Sequence, residues 1–417
     1  MQQGVTNTIG GPRGSTDPDG VVPASARAGR LMVILADPMS PLIAKGEVTA
    51  RYYNPGNLFD EVIFVICADD APDVAAVQHM VGDARFEIHN APIGRDWTVR
   101  SLFWRPALLR AWTQPIVELA RARSPQLVRC HHNRYNAFAA AEIKRQLGTP
   151  YVVSLHAHPQ TSQAKRLSSA YLRHRLREAA LEAISRQGLA GADAILPVYS
   201  PIVPWLQQRG IERYEIVYNA VGTLARPVER VPRGEMLRAI NVGRQDADIK
   251  DPTPIIDAVA ARSDVRLTVV GNGPLHEALV ARVHARGAQD RIEFRTSVPN
   301  TGLLELMAAH DVLLFSTHAT EFSKVCIEAA LLGLAIVHND LQPLRPSELD
   351  GSHVLVVENS ASGFGAALAT LMATPGLVEE MGSRARDMAA ANWAPDVMEA
   401  RVVAIYREMI AGASRKR

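Results

Sequence analysis

Two clusters of polar residues in the C-terminal half each follow a strand-like apolar run, and both could hold an anion. In the segment VGRQDADIKDP, the apolar run ends at Gly243 and the loop after it carries Arg244 and Lys250. Arginine can donate hydrogen bonds to two phosphate oxygens at once, and lysine supplies a compact positive charge. The two cations therefore predict a phosphate or diphosphate site. The alternative is a solvated loop that also exposes Asp248 and Asp251.

The second cluster lies in the segment STHATEFSKVCIEAALLG, which joins a strand end, a short loop and the start of an apolar helix. The first residues of a helix present backbone N–H groups and the positive end of its dipole, which favours phosphate. The helix start is expected near Ser323 to Val325. Glu321 in the loop and Glu328 in the helix could accept hydrogen bonds from sugar or ribose hydroxyls. Both could instead be surface carboxylates, although the apolar helix makes that position hard for Glu328.

Two further patterns near these clusters are weaker. Asp246 and Asp248 form a DxD pair that suits a divalent cation. The neighbouring cations could neutralise phosphate without a metal, so we favour a site with no metal. Gly271 and Gly273, in VVGNGP, would let the backbone approach a ligand closely, or could simply form a tight turn between a strand and a helix. The third glycine of a dinucleotide fingerprint is missing.

The N-terminal half offers fewer candidates. His156 directly follows the strand-like run YVVSL, which places it at the carboxyl end of a strand and therefore at a cleft. His131 and His132 end another run in the same way, and each of these histidines could instead be simply packed or solvated. Lys45 and Gly46 lie in the long loop after the first run, where the glycine could allow close approach of a substrate.

The elements that must position these residues are short apolar runs alternating with helical segments. Continuous apolar runs separated by helices predict parallel sheets that are covered on both faces. The segment VGTLARPVERVPRG, with two prolines and two glycines, marks a boundary near Val221 to Pro232 that divides the alternation in two. The predicted divisions are a disordered tail at 1–29, an N-terminal domain at 30–225, a C-terminal domain at 233–394, and a C-terminal helical segment at 395–417.

The composition excludes several classes of protein. The chain has 417 residues and a formal net charge of +2, so nothing indicates a nucleic-acid-binding surface. No apolar run is long enough to span a bilayer, and the N-terminus lacks the apolar region of a secretory signal. We therefore expect a cytoplasmic protein. Basic segments such as Lys165 to Gln187 could contact an anionic membrane surface, or could equally pack their apolar face on a sheet.

Taken together, the ordered motifs resemble the retaining glycosyltransferases of family 4, which have the GT-B fold of two Rossmann-like domains facing across a cleft. The resemblance covers most of the chain from about residue 30. It is carried by VGR followed by a lysine, then VVGNGP, RIEF, DVLLFS and IEAALLG, in the family's order and near its spacing. The segment NWAPDVMEARVVAIYREM resembles the family's closing helix, which crosses back to the N-terminal domain.

The resemblance implies that the domain at 30–225 lies on the acceptor side and that the domain at 233–394 binds the donor nucleotide. It also implies the roles of individual residues. Arg244 and Lys250 would bind the donor diphosphate, Glu328 the ribose, and Glu321 the donor sugar. His156 would be the cleft histidine near the reacting sugar. The remaining residues implied are Gly243, Gly271, Gly273, Phe322, Ser323, Lys324 and Val325 on the donor side, and Lys45 and Gly46 in the acceptor-side loop.

The implied activity is transfer of a hexose from a nucleotide-diphosphate sugar to a hydroxyl of a glycan, glycolipid or small-molecule acceptor. The family retains anomeric configuration, usually without a metal or other cofactor. Six residues separate Glu321 from Glu328 where the family usually has seven. This shorter spacing leaves open a non-catalytic subunit derived from a glycosyltransferase. A nucleotide-sugar 2-epimerase on the same fold is a further alternative.

Overall fold

Two parallel six-stranded sheets, each covered by helices, form the protein. The computed structural model describes residues 28–46, 48–94, 106–156, 169–222, 234–296, 298 and 300–415. The predicted tail, the predicted linker and the start of the basic segment at Lys165 lie largely or wholly outside these residues. Within them, the predicted class of two doubly wound α/β domains is confirmed.

The first sheet has the strand order β3-β2-β1-β4-β5-β6, and the chain order reverses between β1 and β4. Its strands are buried on both faces except β3, which lies at the edge and is half exposed. This explains why the continuous apolar runs predicted five strands and missed β3. The strands are β1 (Arg30–Leu35), β2 (Glu61–Ile66), β3 (Arg85–Asn90), β4 (Leu127–His131), β5 (Tyr151–Leu155) and β6 (Ala194–Pro197).

The second sheet repeats this arrangement. Its order is β12-β11-β10-β7-β8-β9, so the reversal falls between β7 and β10. Each of its six strands overlaps a run predicted from the sequence. The strands are β7 (Leu237–Val242), β8 (Val265–Val270), β9 (Ile292–Arg295), β10 (Val312–Phe315), β11 (Ala335–Asn339) and β12 (Val354–Val357).

Helices occupy most of the connections between strands. Three 3-10 helices also lie within the described residues, at Pro55–Asn57, Ser200–Ile202 and Ser347–Leu349. The α-helices described are α1 (Ser40–Ala44), α2 (Val74–Val81), α3 (Pro106–Arg123), α4 (Tyr135–Leu147), α5 (Ser169–Ala190), α6 (Val203–Gln207), α7 (Thr253–Ala260), α8 (His276–Ala285), α9 (Asn300–Ala308), α10 (Lys324–Leu331), α11 (Ala361–Ala373), α12 (Leu377–Asn392) and α13 (Pro395–Ser414).

The last helix, α13, returns to the N-terminal domain. Glu399 accepts hydrogen bonds from Arg51 at 2.9 and 3.0 Å and from the backbone N–H of Gly56 at 2.7 Å. Tyr406 is fully buried beside Phe59. Because α13 follows the C-terminal domain in the chain, these contacts tie the two domains together.

No single helix in the described part of the chain is long and apolar enough to cross a bilayer. One pair, 361–373 together with 377–414, meets the length and composition criteria jointly but is bent by 105° at its break.

Candidate functional site

The candidate site in the C-terminal domain lies where the strand order reverses, which is where open α/β sheets bind ligands. The loop after β7 and the loop after β10 are joined there. Ile249 accepts hydrogen bonds from the Thr317 hydroxyl at 3.0 Å and from the His318 N–H at 2.7 Å. This junction brings Lys250, at the end of one loop, beside the start of α10 at the end of the other.

Lys250 is the best-positioned cation of the site. Its Nζ lies 2.9 Å from Glu321 Oε1, 3.4 Å from the Ser323 hydroxyl and 5.3 Å above the Phe315 ring. Ser323 is the N-cap residue of α10 and makes no side-chain capping hydrogen bond. A cation and a helix N-terminus therefore converge at one place, and both favour an anionic ligand.

Arg244 is on the solvent side of the same loop. Its side chain is 66% exposed, and its Nε lies 3.3 Å from Asp246 Oδ2. The other oxygen of Asp246 accepts a hydrogen bond from the backbone N–H of Asp248. The first carboxylate of the DxD pair is thus occupied by protein groups. In the described residues no group of three His, Cys, Asp or Glu side chains could hold a metal. That the site works without a metal stays a prediction.

The glycines beside this loop are explained by packing between loops. A Cβ on Gly271, whose φ is +127°, would lie 2.0 Å from the Gly243 carbonyl oxygen, and one on Gly273 would lie 2.2 Å from the Gln245 carbonyl oxygen. Gln245 is buried and donates a hydrogen bond to the Gly271 carbonyl at 2.9 Å. Packing against the loop after β7 therefore accounts for both glycines. Their role toward a donor stays a prediction.

The residues at the start of α10 divide into two groups. Lys324 and Val325 are partly exposed, whereas Phe322 is 3% exposed and packs on Trp393 with ring centroids 4.9 Å apart. The Phe322 side chain is therefore packed inside the protein, so this residue could contact a ligand only through its backbone. Its role on the donor side stays a prediction. Glu328 is buried in the second turn of α10, as the apolar helix required.

In the N-terminal domain, His156 lies at the end of β5 within a cluster of histidines. Its ring stacks on His131 with a centroid distance of 4.8 Å and an interplanar angle of 2°, and His132 lies 5.6 Å away. Burial, together with the nearby His132, lowers the pKa of His156 to about 3. The positive charge of Lys324, from the other domain, adds a smaller effect in the same direction. His156 is therefore a neutral group that faces the donor-side helix.

Two residues that were not selected as site candidates from the sequence, Asp37 and Arg134, lie with His132 at the reversal between β1 and β4. His132 Nε2 lies 3.8 Å from Asp37 Oδ2, and Arg134 Nη1 lies 3.7 Å from Asp37 Oδ1. All three side chains are at least partly exposed. Both distances are too long for direct hydrogen bonds, but a water or a ligand hydroxyl about 2.8 Å from each atom would fit.

Lys45 and Gly46, the predicted acceptor-side loop, are exposed residues that follow α1. Gly46 has a φ of +71°, and a Cβ there would meet nothing within 4 Å. A left-handed turn, which glycine adopts without strain, accounts for this residue. Its role toward an acceptor stays a prediction.

Buried histidines should make the protein sensitive to acid. Burial lowers the pKa of the fully buried His338 to about 4. Between about pH 6.5 and pH 4 the unfolded chain binds a proton at this residue and the folded chain does not. The contribution of the neutral His338 to the free energy of unfolding is therefore complete above about pH 6.5. It is lost as the pH falls toward 4, by up to about 1.4 kcal/mol per pH unit. Denaturant unfolding of the wild type and His338→Gln, at intervals from pH 7 to pH 4.5, measures this slope.

The variant should show a shallower slope than the wild type, even if it is less stable at pH 7. The matched control is His79→Gln, because His79 is exposed on α2. Equal slopes for wild type and His338→Gln would contradict the prediction.

Two family models match most of the chain between them. Residues 57–222 match "Glycosyl transferase 4-like domain", and residues 238–374 match "Glycosyl transferases group 1". A curated relative from Streptomyces fradiae, 2-deoxystreptamine N-acetyl-D-glucosaminyltransferase, is 25% identical over 283 residues. That alignment covers 63% of this chain and 66% of the relative, about two thirds of its length.

Solved structures share the architecture. The Anabaena protein HepE in complex with UDP has a TM-score of 0.67 and 16% identity, covering 91% of this chain and 100% of that one. A putative UDP-N-acetylglucosamine 2-epimerase from Listeria monocytogenes has a TM-score of 0.53 and 13% identity, covering 90% and 94%. The predicted GT-B architecture is confirmed, and at these identities the likeness concerns the fold alone.

Proposed function

We propose that this chain moves a hexose from a nucleotide-sugar donor to an acceptor hydroxyl with retention of configuration. The two family matches indicate a GT-B glycosyltransferase that uses such a donor. The observation that carries the proposal is the convergence of Lys250 and the N-terminus of α10 at the reversal of the second sheet. The neutral His156 lies across from it on the first sheet, within the electrostatic reach of Lys324.

In the proposed reaction, the bond between the sugar C1 and the diphosphate oxygen breaks, and C1 forms a bond to the acceptor oxygen on the same face. The acceptor proton passes to the leaving diphosphate, so no protein nucleophile is needed. Negative charge grows on the diphosphate as it leaves. Lys250 and the backbone N–H groups at the start of α10 would stabilise that charge, which is a large catalytic term in such sites. Arg244 would add a second, more solvated cation, so we propose that no metal is required.

The acceptor would lie at the reversal of the first sheet, near Asp37 and His132. The relative from Streptomyces fradiae is named for transfer to 2-deoxystreptamine, which supports a small polyhydroxylated or amino acceptor. A glycan or glycolipid acceptor at the inner membrane face is the other class that we propose to test. The basic segment that motivated it lies partly outside the described residues, and so do the side chains of Arg173, Arg175 and Arg177 in α5.

Glu328→Ala should remove most of the stabilisation that the donor nucleotide gives. The buried carboxylate is proposed to accept hydrogen bonds from the ribose diol, and alanine cannot accept them. The measurement is a thermal-shift screen against UDP, GDP, ADP and their common sugar conjugates. We expect one nucleotide to raise the melting temperature of the wild type, and Glu328→Ala to lose most of that shift.

Glu142→Ala is the matched control, because Glu142 is also a buried carboxylate but lies in the N-terminal domain, paired with Arg145. It should lower the baseline melting temperature and keep the nucleotide-induced shift. No shift with any nucleotide at millimolar concentration would favour a non-catalytic protein. Conversion of the donor to its 2-epimer without an acceptor would favour an epimerase.

A further inference from the structure

Asn219 is the hydrogen-bond partner of His156. It lies in the stretch that leaves the N-terminal domain after β6, far from His156 in sequence. Its Oδ1 is 2.9 Å from His156 Nδ1. An amide oxygen can only accept a hydrogen bond, so the imidazole Nδ1 must carry the proton in this pair.

The other nitrogen of the ring then carries a lone pair. His156 Nε2 is enclosed and has no hydrogen-bond partner within the described residues. The stacking on His131 fixes the plane of the ring, and the bond to Asn219 fixes its rotation within that plane. A buried polar atom without a partner is costly, so a site with such an atom favours a ligand that supplies the missing donor.

We propose that Asn219 is a positioning residue that holds His156 as the Nδ1–H tautomer, so that Nε2 accepts a hydrogen bond from a hydroxyl of the bound sugar. That the ligand is a sugar rests on the proposed glycosyltransferase function, whereas the tautomer of His156 is a property of the free protein. Asn219 itself does not touch the substrate.

The backbone around Asn219 is anchored from both domains. The Val217 N–H donates to the Pro197 carbonyl at 3.0 Å, and Arg401 of α13 donates to the Ile216 carbonyl at 3.0 Å. Tyr218 packs on Trp393 with ring centroids 5.7 Å apart. Since Trp393 also packs on Phe322 of the donor-side loop, the position of Asn219 depends on how the two domains are joined.

The surroundings of His156 favour a neutral ring. Asn219 therefore selects the tautomer of that ring and not its charge. Burial has the largest effect in lowering the pKa of His156, and His132, Arg129 and Lys324 lower it further. The bond to Asn219 acts in the opposite direction. A neutral amide at this place orients the ring without adding a charge.

The tautomer can be measured on the ligand-free, full-length protein by long-range ¹H–¹⁵N NMR with labelled histidine, the His156 signals being assigned with His156→Gln. We expect the wild type to show a protonated Nδ1 and a bare Nε2. Asn219→Leu should lose this preference and lower kcat by about tenfold. Asn219→Asp should keep the Nδ1–H tautomer, recover most of the activity and raise the pKa of His156, because it adds a nearby negative charge.

Asn90→Leu is the matched control, since it also removes one side-chain hydrogen bond of an asparagine, from Nδ2 to the Asp70 carbonyl, at the edge of the same sheet. It should change neither the tautomer nor kcat. A wild-type His156 protonated at Nε2, or an Asn219→Leu variant with unchanged tautomer, overturns the proposal. Failure of the proposed function would look different: no sugar transfer by the wild type while the Nδ1–H tautomer is present.

Discussion

Lys250→Ala is expected to lower kcat by about a hundredfold while the free energy of unfolding changes by no more than about 1 kcal/mol. The large kinetic effect follows because the ammonium lies beside the N-terminus of α10, where the leaving diphosphate would gather charge. The small effect on stability follows because the Lys250–Glu321 pair is partly exposed to water. Steady-state kinetics with the donor found by thermal shift, together with denaturant unfolding, measure both quantities.

Lys144→Ala is the matched control for Lys250→Ala. Lys144 also forms a close ion pair, 2.7 Å from Asp193, and is likewise partly exposed, but it lies in the N-terminal domain. Its replacement should leave kcat within a factor of about two. Lys250→Arg should recover part of the activity, because it keeps the charge but changes its geometry. An unchanged kcat in Lys250→Ala would contradict the proposal that Lys250 stabilises the leaving diphosphate.

The fold was predictable because parallel strands that are covered on both faces have continuous apolar runs in their sequences. Runs such as LMVILA and YVVSL marked β1 and β5 to within one residue at each end. The edge strand β3, RFEIHN, alternates polar and apolar side chains over its first five residues and therefore has no such run. Edge strands are the elements for which burial, and hence the apolar pattern, is weakest.

The proximity of the residues proposed for the donor side was predictable for a similar reason, since they lie in the loops directly after strand ends. Lys250, Ser323 and Glu321 were predicted from the sequence and are within contact distance in the structure. The buried aromatic contact of Phe322 with Trp393 was not predictable, because Trp393 is about 70 residues away and belongs to the junction of α12 and α13. Asn219 likewise has no local signal, since only the folded chain brings it to His156.

Gly271→Ala should destabilise the protein by more than about 3 kcal/mol and abolish nucleotide binding. Two causes add at this position. A backbone with φ of +127° is strained for any residue with a Cβ, and the new atom would lie 2.0 Å from the Gly243 carbonyl oxygen. The clash is with backbone, so no side chain can move to relieve it. Relief would require the loop that carries Lys250 to shift away from β8. Denaturant unfolding gives the loss of stability, and the thermal-shift screen gives the loss of binding.

Gly46→Ala separates the two causes. Gly46 also has a positive φ, +71°, but a Cβ there would meet open space. Only the conformational strain applies, so we expect a loss of about 1 kcal/mol and an unchanged response to nucleotide. If Gly271→Ala cost no more than Gly46→Ala, the contact between the loops after β7 and β8 would be looser than described. The position of Lys250 beside α10 would then depend on its ion pair with Glu321 and on the hydrogen bonds to Ile249, and not on the glycines.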